Sequence, residues 1–121
     1  MKIAVLKFGG TSVGNTSRIK KVASIIVGYL KKRFKVIVIS SAMSGVTNDL
    51  IKKSKDISNN FNSSEYDVLL SSGEQMSCAL IAGRLNHLGY KSQSWMGWQV
   101  PILTEGNHSS SRISQIYKKK N

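Results

Sequence analysis

The chain has 121 residues and a formal net charge of +12, from 18 basic and 6 acidic side chains. That length bounds it to one domain, and its 40% hydrophobic content with a single proline permits a buried core. No apolar stretch approaches the ~18 residues of a membrane span, and the single cysteine, Cys78, excludes an internal disulfide framework and suits a reducing cytoplasm. The basic charge rests on lysines placed in pairs, such as Lys20-Lys21, Lys31-Lys32 and Lys52-Lys53. No nucleic-acid-binding module accompanies them, so they read as a solvated surface and not as a specific nucleic-acid site.

Ile3-Ala4-Val5-Leu6 is an apolar run of buried-strand type, too short for a signal peptide core before Lys7 interrupts it. Lys7-Phe8-Gly9-Gly10-Thr11-Ser12-Val13 follows, and then a helical pattern. Glycines let backbone N–H groups approach an anion, and a helix N-terminus adds partial positive charge. Strand, Gly-Gly, hydroxyl residues and helix can therefore hold phosphate or form a plain structural turn. The lysine precedes the glycines, and Asn15 stands where a P-loop needs its lysine, so the segment is not a P-loop.

Asn15, Thr16 and Ser17 are N-cap candidates, and Ile19, Val22, Ala23, Ile26 and Leu30 recur at helical spacing. A helix is expected from about Thr16 to Lys32. Lys35 to Ser40 is a β-branched run without alternation, which predicts a strand buried on both faces. Strand–helix–strand implies a parallel pair with a right-handed crossover. The small residues Ser40 to Gly45 then emerge at the same sheet edge as Lys7.

Thr47 or Asn48 is expected to cap the next helix, ending near Ile57. Ser58 to Ser64 reads as a loop. Leu69-Leu70 and then Met76 to Leu88 predict a helix apolar on two sides, with Glu74 at its start and Gly89 as its C-terminal glycine. Cys78 is expected as a buried thiol. Lys91 to Met96 reads as a third strand, and Trp95 to Gln99 as a loop whose tryptophans pack. Pro101 to Thr104 and Arg112 to Tyr117 are short strand candidates, and Lys118 to Asn121 a frayed end. His87 and His108 have no partner at ligand spacing, so no metal site is assigned.

Three ordered stretches carry a resemblance: Lys7 to Val13, Val38 to Leu50 (Val-Ile-Ser-Ser-Ala-Met-Ser-Gly-Val-Thr-Asn-Asp-Leu), and Leu69 to Gln75 (Leu-Leu-Ser-Ser-Gly-Glu-Gln). Together they resemble the motifs of aspartate kinases, in the amino acid kinase superfamily. The resemblance implies an α/β fold, a three-layer α/β/α sandwich with a mainly parallel sheet. Residues 1–121 would be the N-terminal part of its catalytic domain, roughly the first quarter to third of a family member, without the regulatory ACT domains.

The implied reaction is ATP-dependent phosphorylation of the L-aspartate side-chain carboxylate, the first step toward lysine, threonine, methionine and diaminopimelate. Carried over by motif, Lys7 would be catalytic, and Lys7, Phe8, Gly9, Gly10 and Ser41 would bind the ATP phosphates. Thr47 and Glu74 would bind aspartate, with Glu74 suited to its α-ammonium. Magnesium is expected from the resemblance, but no ligand for it can be identified. A cytoplasmic enzyme with a complementing second half or a homo-oligomeric partner is implied. The alternatives are a non-catalytic N-terminal subunit and a basic polyanion-binding module.

Overall fold

A computed structural model describes residues 1–100 and 102–117. Its elements in chain order are β1 (Lys2–Phe8), α1 (Thr16–Lys31), β2 (Phe34–Ser40), α2 (Val46–Ile57), α3 (Ser63–His87), β3 (Ile102–Glu105) and β4 (Arg112–Ile116). β1 and β2 pair in parallel, from Lys2 opposite Phe34 to Phe8 opposite Ser40. β3 and β4 form a separate antiparallel hairpin. The expected α/β architecture with a parallel strand pair is therefore present.

Helix α1 starts where its cap chemistry dictates. The Asn15 side chain accepts from the Arg18 N–H at 2.9 Å, satisfying one orphan donor of the first turn. Ile19, Val22, Ala23 and Ile26 then fall on one buried face. They share a core with Val13 and with Ile81 and Leu85 of α3, packed against Leu6, Phe8, Val36 and Val38 from the inner sheet face.

Among the described residues, only that face is covered. Both strands alternate between half-buried and exposed positions. Ile3, Val5, Ile37 and Ile39 are 60, 63, 52 and 49% exposed. The expectation of a β2 buried on both faces is overturned among the described residues. A β-branched run suits a strand whatever lies across its second face, so the pattern could not report a missing layer.

α3 also differs from expectation. It begins at Ser63, where Asn62 caps the N–H groups of Ser64 and Glu65 at 2.9 and 3.2 Å. Glu74 is therefore mid-helix and exposed, far from the helix dipole's positive end. The buried stripe is Gly73, Ser77, Ile81 and Leu85, while Met76 and Leu80 are exposed, so α3 is buried on one side only. Its end is as expected. Gly89 takes φ 87°, and Tyr90 N–H donates to Leu85 O at 2.9 Å while Gly89 N–H donates to Asn86 O at 3.0 Å. These two bonds are those of a Schellman motif.

Lys91 to Met96 is not a strand. The Asn86 side chain takes both backbone groups of Ser92, accepting its N–H at 2.8 Å and donating to its carbonyl at 2.9 Å. Those groups are then unavailable to a sheet neighbour. An apolar cleft of about 840 Å³, lined by Ile37, Ile39, Ile81 and Trp95 among others, lies beside β2. Cys78 also lines it and is half-buried; burial, with the Glu74 carboxylate second, pushes the thiol up, against a reactive thiolate. Trp95 and Trp98 are 59 and 74% exposed, contrary to the expected packing. Of the short strand candidates, Ile102–Glu105 and Arg112–Ile116 form the hairpin; Pro101 and Lys118 to Asn121 lie outside the described residues.

His108 does have a partner. Its Nδ1 lies 3.2 Å from Asp67 Oδ2, and Ser109 donates to the same carboxylate from its N–H at 2.9 Å and its hydroxyl at 3.0 Å. The Ser109 bonds and His108 hold the Asp67 carboxyl below its ordinary range, with the Ser109 backbone N–H the largest cause. A depressed carboxylate pKa contributes stability above the unfolded value, near 3.9, and loses it as pH falls through the folded value. The hairpin tip is thus expected to stay tethered to α3 at pH 5–7 and to loosen below about pH 4. Resonances of Asn107 to Ser111 followed against pH test this. The same titration in Asp67→Asn as in the parent would show that the carboxylate is not the tether.

Candidate functional site

Because β1 and β2 are parallel, their C-terminal ends deliver two loops to one edge of the sheet. The first runs from Gly9 to Asn15 and closes on itself. Ser12 and Val13 N–H donate to Gly9 O at 3.0 and 3.3 Å, and Gly14 N–H donates to Thr11 O at 3.3 Å. The second, Ser41 to Gly45, is anchored at its start by Ser41 N–H donating to Phe8 O at 3.1 Å. Between them lies a cavity of about 320 Å³ lined by Gly10, Thr11, Ser41, Ala42, Met43, Ser44, Gly45, Thr47 and Asn48.

Among the described residues no hydrogen bond takes the N–H of Gly10, Thr11, Ala42 or Ser44. Gly10 lies in close approach to the second loop, since a Cβ there would stand 3.2 Å from Ala42 O, tighter than an ordinary contact. A larger residue would push the two loops apart by a few tenths of an ångström.

A helix N-terminus does open onto the cavity, but it belongs to α2. The expected Thr47 or Asn48 cap does not form. Gly45 is the N-cap, at φ 81°, with no side-chain hydrogen bond to the first turn. Backbone in that left-handed region favours glycine. In α1, by contrast, the Asn15 side chain takes one N–H of the first turn, that of Arg18. An uncapped first turn leaves N–H donors and positive partial charge facing the cavity through Thr47 and Asn48.

The structure brings Gly10, Ser41 and Thr47 into one lining. Gly9 adjoins it, and Phe8 points inward against the core. Two of the expected site residues stand outside the lining. Lys7 is exposed on the open sheet face, at the C-terminal end of β1 opposite Ile39. Glu74 is exposed on α3. No carboxylate lines the cavity, and among the described residues no three His, Cys, Asp or Glu side chains converge. The residues present thus supply no ligand set for the magnesium ion that the resemblance implies. No helix among the described residues is long and apolar enough to cross a membrane.

Sequence reasoning missed Ser77. It is wholly buried on α3, and its hydroxyl donates to Ser41 O at 2.5 Å. Its partner lies 36 positions away, beyond any local pattern.

The chain was compared with known proteins. The model of the amino acid kinase family matches residues 2–118. The chain is 47% identical to an aspartokinase of Rickettsia felis over 119 residues, which is 96% of this chain and 30% of the relative. It is likewise 47% identical to an aspartokinase of Geobacillus stearothermophilus, over 96% of this chain and 28% of that protein. A crystal structure of an aspartate kinase from Synechocystis superposes with a TM-score of 0.67 at 42% identity, covering 69% of this chain and 14% of the other. The chain therefore spans less than a third of the length of these curated relatives.

Proposed function

The chain belongs to the amino acid kinase family, and from that membership we propose that residues 1–121 are the phosphate-holding, N-terminal part of an aspartate kinase catalytic domain. The observation that carries the reading is the cavity at the parallel sheet edge, where free loop amides and the uncapped start of α2 converge.

The reaction suits such a cavity. The side-chain carboxylate of L-aspartate has a pKa near 4 and is already ionised at neutral pH, so no general base is needed. Its oxygen forms the new bond to the γ-phosphorus of ATP while the bond to the ADP oxygen breaks. The work left to the protein is positioning and neutralising charge. Gly9, Gly10 and the Ser41 loop hold the phosphates through backbone N–H groups. Lys7, at the strand end, offsets their charge from the open sheet face. Thr47 and Glu74 meet the amino acid, the Glu74 carboxylate facing its ammonium. Magnesium would come bound to the nucleotide, and this cavity supplies no acidic ligand for it.

Adding ATP to the labelled chain at about 0.15 M salt, where screening acts within about 8 Å, is expected to shift the amide resonances of Gly10, Thr11 and Ala42 to Gly45. Shifts spread over the lysine-rich helices instead would indicate unspecific polyanion binding and reject the reading. Lys7→Met is expected to weaken ATP roughly tenfold, as the loss of one charge-assisted contact does. Its melting temperature should stay unchanged, because the side chain is exposed. Equal ATP affinity in variant and parent would remove Lys7 from the site.

A further inference from the structure

We propose that Ser77 is a positioning residue of this cavity, one that aims the backbone of the Ser41–Gly45 loop without touching a ligand. The proposal rests on the reading of the cavity as a phosphate site.

A helix serine ordinarily returns its proton to a carbonyl three or four residues back. Ser77 has such an acceptor, Glu74 O, at 3.1 Å. Ser41 O is nearer, at 2.5 Å. The hydroxyl has one proton, and the shorter contact takes it. Ser40 Oγ has two acceptors for its one proton, the Ser77 oxygen and the Ser41 carbonyl itself, each 3.2 Å away. The Ser41 carbonyl is thus held chiefly by the short contact from Ser77, which is wholly buried, with the longer Ser40 contact beside it.

Fixing that carbonyl fixes more than one atom. The peptide joining Ser41 to Ala42 is planar and trans, so its C=O and N–H point in opposite directions. A carbonyl drawn toward α3 turns the Ala42 N–H away from α3. Ser41 and Ala42 both line the cavity, and the Ala42 N–H has no acceptor among the described residues. Ser77 thus sets the orientation of a donor it never contacts, as preorganised anion sites require.

One turn earlier on the same buried face, Gly73 seats the other end of the loop. A Cβ there would stand 2.9 Å from Val46 Cγ1, 3.2 Å from Leu50 Cδ1 and 3.6 Å from Ala42 Cβ. The first turn of α2 can come this close to α3 because position 73 has no side chain. The pair Gly73 and Ser77 therefore fixes the loop from beneath, sterically at one point and by a hydrogen bond at another.

The test compares Ser77→Ala with Ser40→Ala. Both hydroxyls reach the Ser41 carbonyl, so Ser77→Ala removes the short contact at 2.5 Å and Ser40→Ala only the longer one at 3.2 Å. Amide order parameters of Ala42 to Gly45 are measured without ligand, and affinity for inorganic tripolyphosphate is measured at physiological salt. In Ser77→Ala the order parameters are expected to fall from about 0.85 toward 0.6, and tripolyphosphate affinity to drop about tenfold. Ser40→Ala, which loses only the longer contact, is expected to cause a clearly smaller fall in both. Unchanged order parameters in Ser77→Ala, or a mobile loop with parental affinity, would overturn the proposal. So would equal losses in the two variants, which would mark a general packing defect. If the parent itself does not bind tripolyphosphate, the phosphate reading fails, and the order parameters still decide whether Ser77 holds the loop. Should Ser77→Ala not fold, Ser77→Cys, with a weaker donor of similar shape, is measured in the same way.

Discussion

Incubated with ATP, magnesium and L-aspartate, the 121-residue chain alone is expected to yield no more aspartyl hydroxamate than a sample without protein. Phosphoryl transfer requires nucleotide, metal and acceptor to be held together. The cavity offers amides and hydroxyls but no carboxylate for a metal. Lys7 and Glu74 are both exposed and stand outside the cavity lining. Co-expression with the rest of a relative such as the Rickettsia felis aspartokinase is expected to raise turnover by at least about a thousandfold, the scale on which proximity and orientation act. A purified monomer of this chain turning over at ordinary enzyme rates of about 1–10³ s⁻¹ would refute the dependence.

The second large effect concerns stability. Ile26→Ala is expected to lose about 2–5 kcal/mol, as deletion of buried methyl groups from a packed site does. Ile26 is 1% exposed, in a core of eight buried apolar residues among those described. A domain this size commonly holds only about 5–15 kcal/mol in total, and this one has an uncovered sheet face. Ile26→Ala should therefore remove a cooperative urea transition or move its midpoint far down. Ile37→Thr is the matched control. Ile37 is 52% exposed on the outer face, and the change should stay within about 0.5 kcal/mol. If Ile37→Thr proved the more damaging, the outer face would have to be covered in solution, for instance by self-association.

What the sequence disclosed depended on range. The β1–α1–β2 unit is readable because its determinants are local: Asn15 caps its own first turn, and Ile19 to Ile26 repeat at helical spacing. The convergence of Gly10, Ser41 and Thr47 follows from parallel strands, which require both loops at one edge. The errors share a different cause. Asp67 reaches Ser109 across 42 positions, and Ser77 reaches Ser41 across 36, so neither pair leaves a periodic trace. Ser92 looked like strand because nothing nearby announced that Asn86 would occupy its backbone. Glu74 reads as a helix start because Leu69 to Gly73 carries no clear period, whereas the helix begins at the Asn62 cap.

The hydroxyl that holds the Ser41 loop also imposes an order on synthesis. Chains emerge from the ribosome N-terminus first, and units fold as they become complete. β1, α1 and β2 are contiguous, so their pairing can be made while the rest is still being translated. Ser77 is added 36 residues after Ser41, and Ile81 and Leu85 arrive later still. A nascent chain halted before Ser63 therefore has both loops but neither Gly73 nor Ser77 beneath them. One halted well past Gly89, with α3 clear of the exit tunnel, has the whole support. Nucleotide should protect the second nascent chain from protease and not the first, which makes ligand binding a late event in the life of the polypeptide.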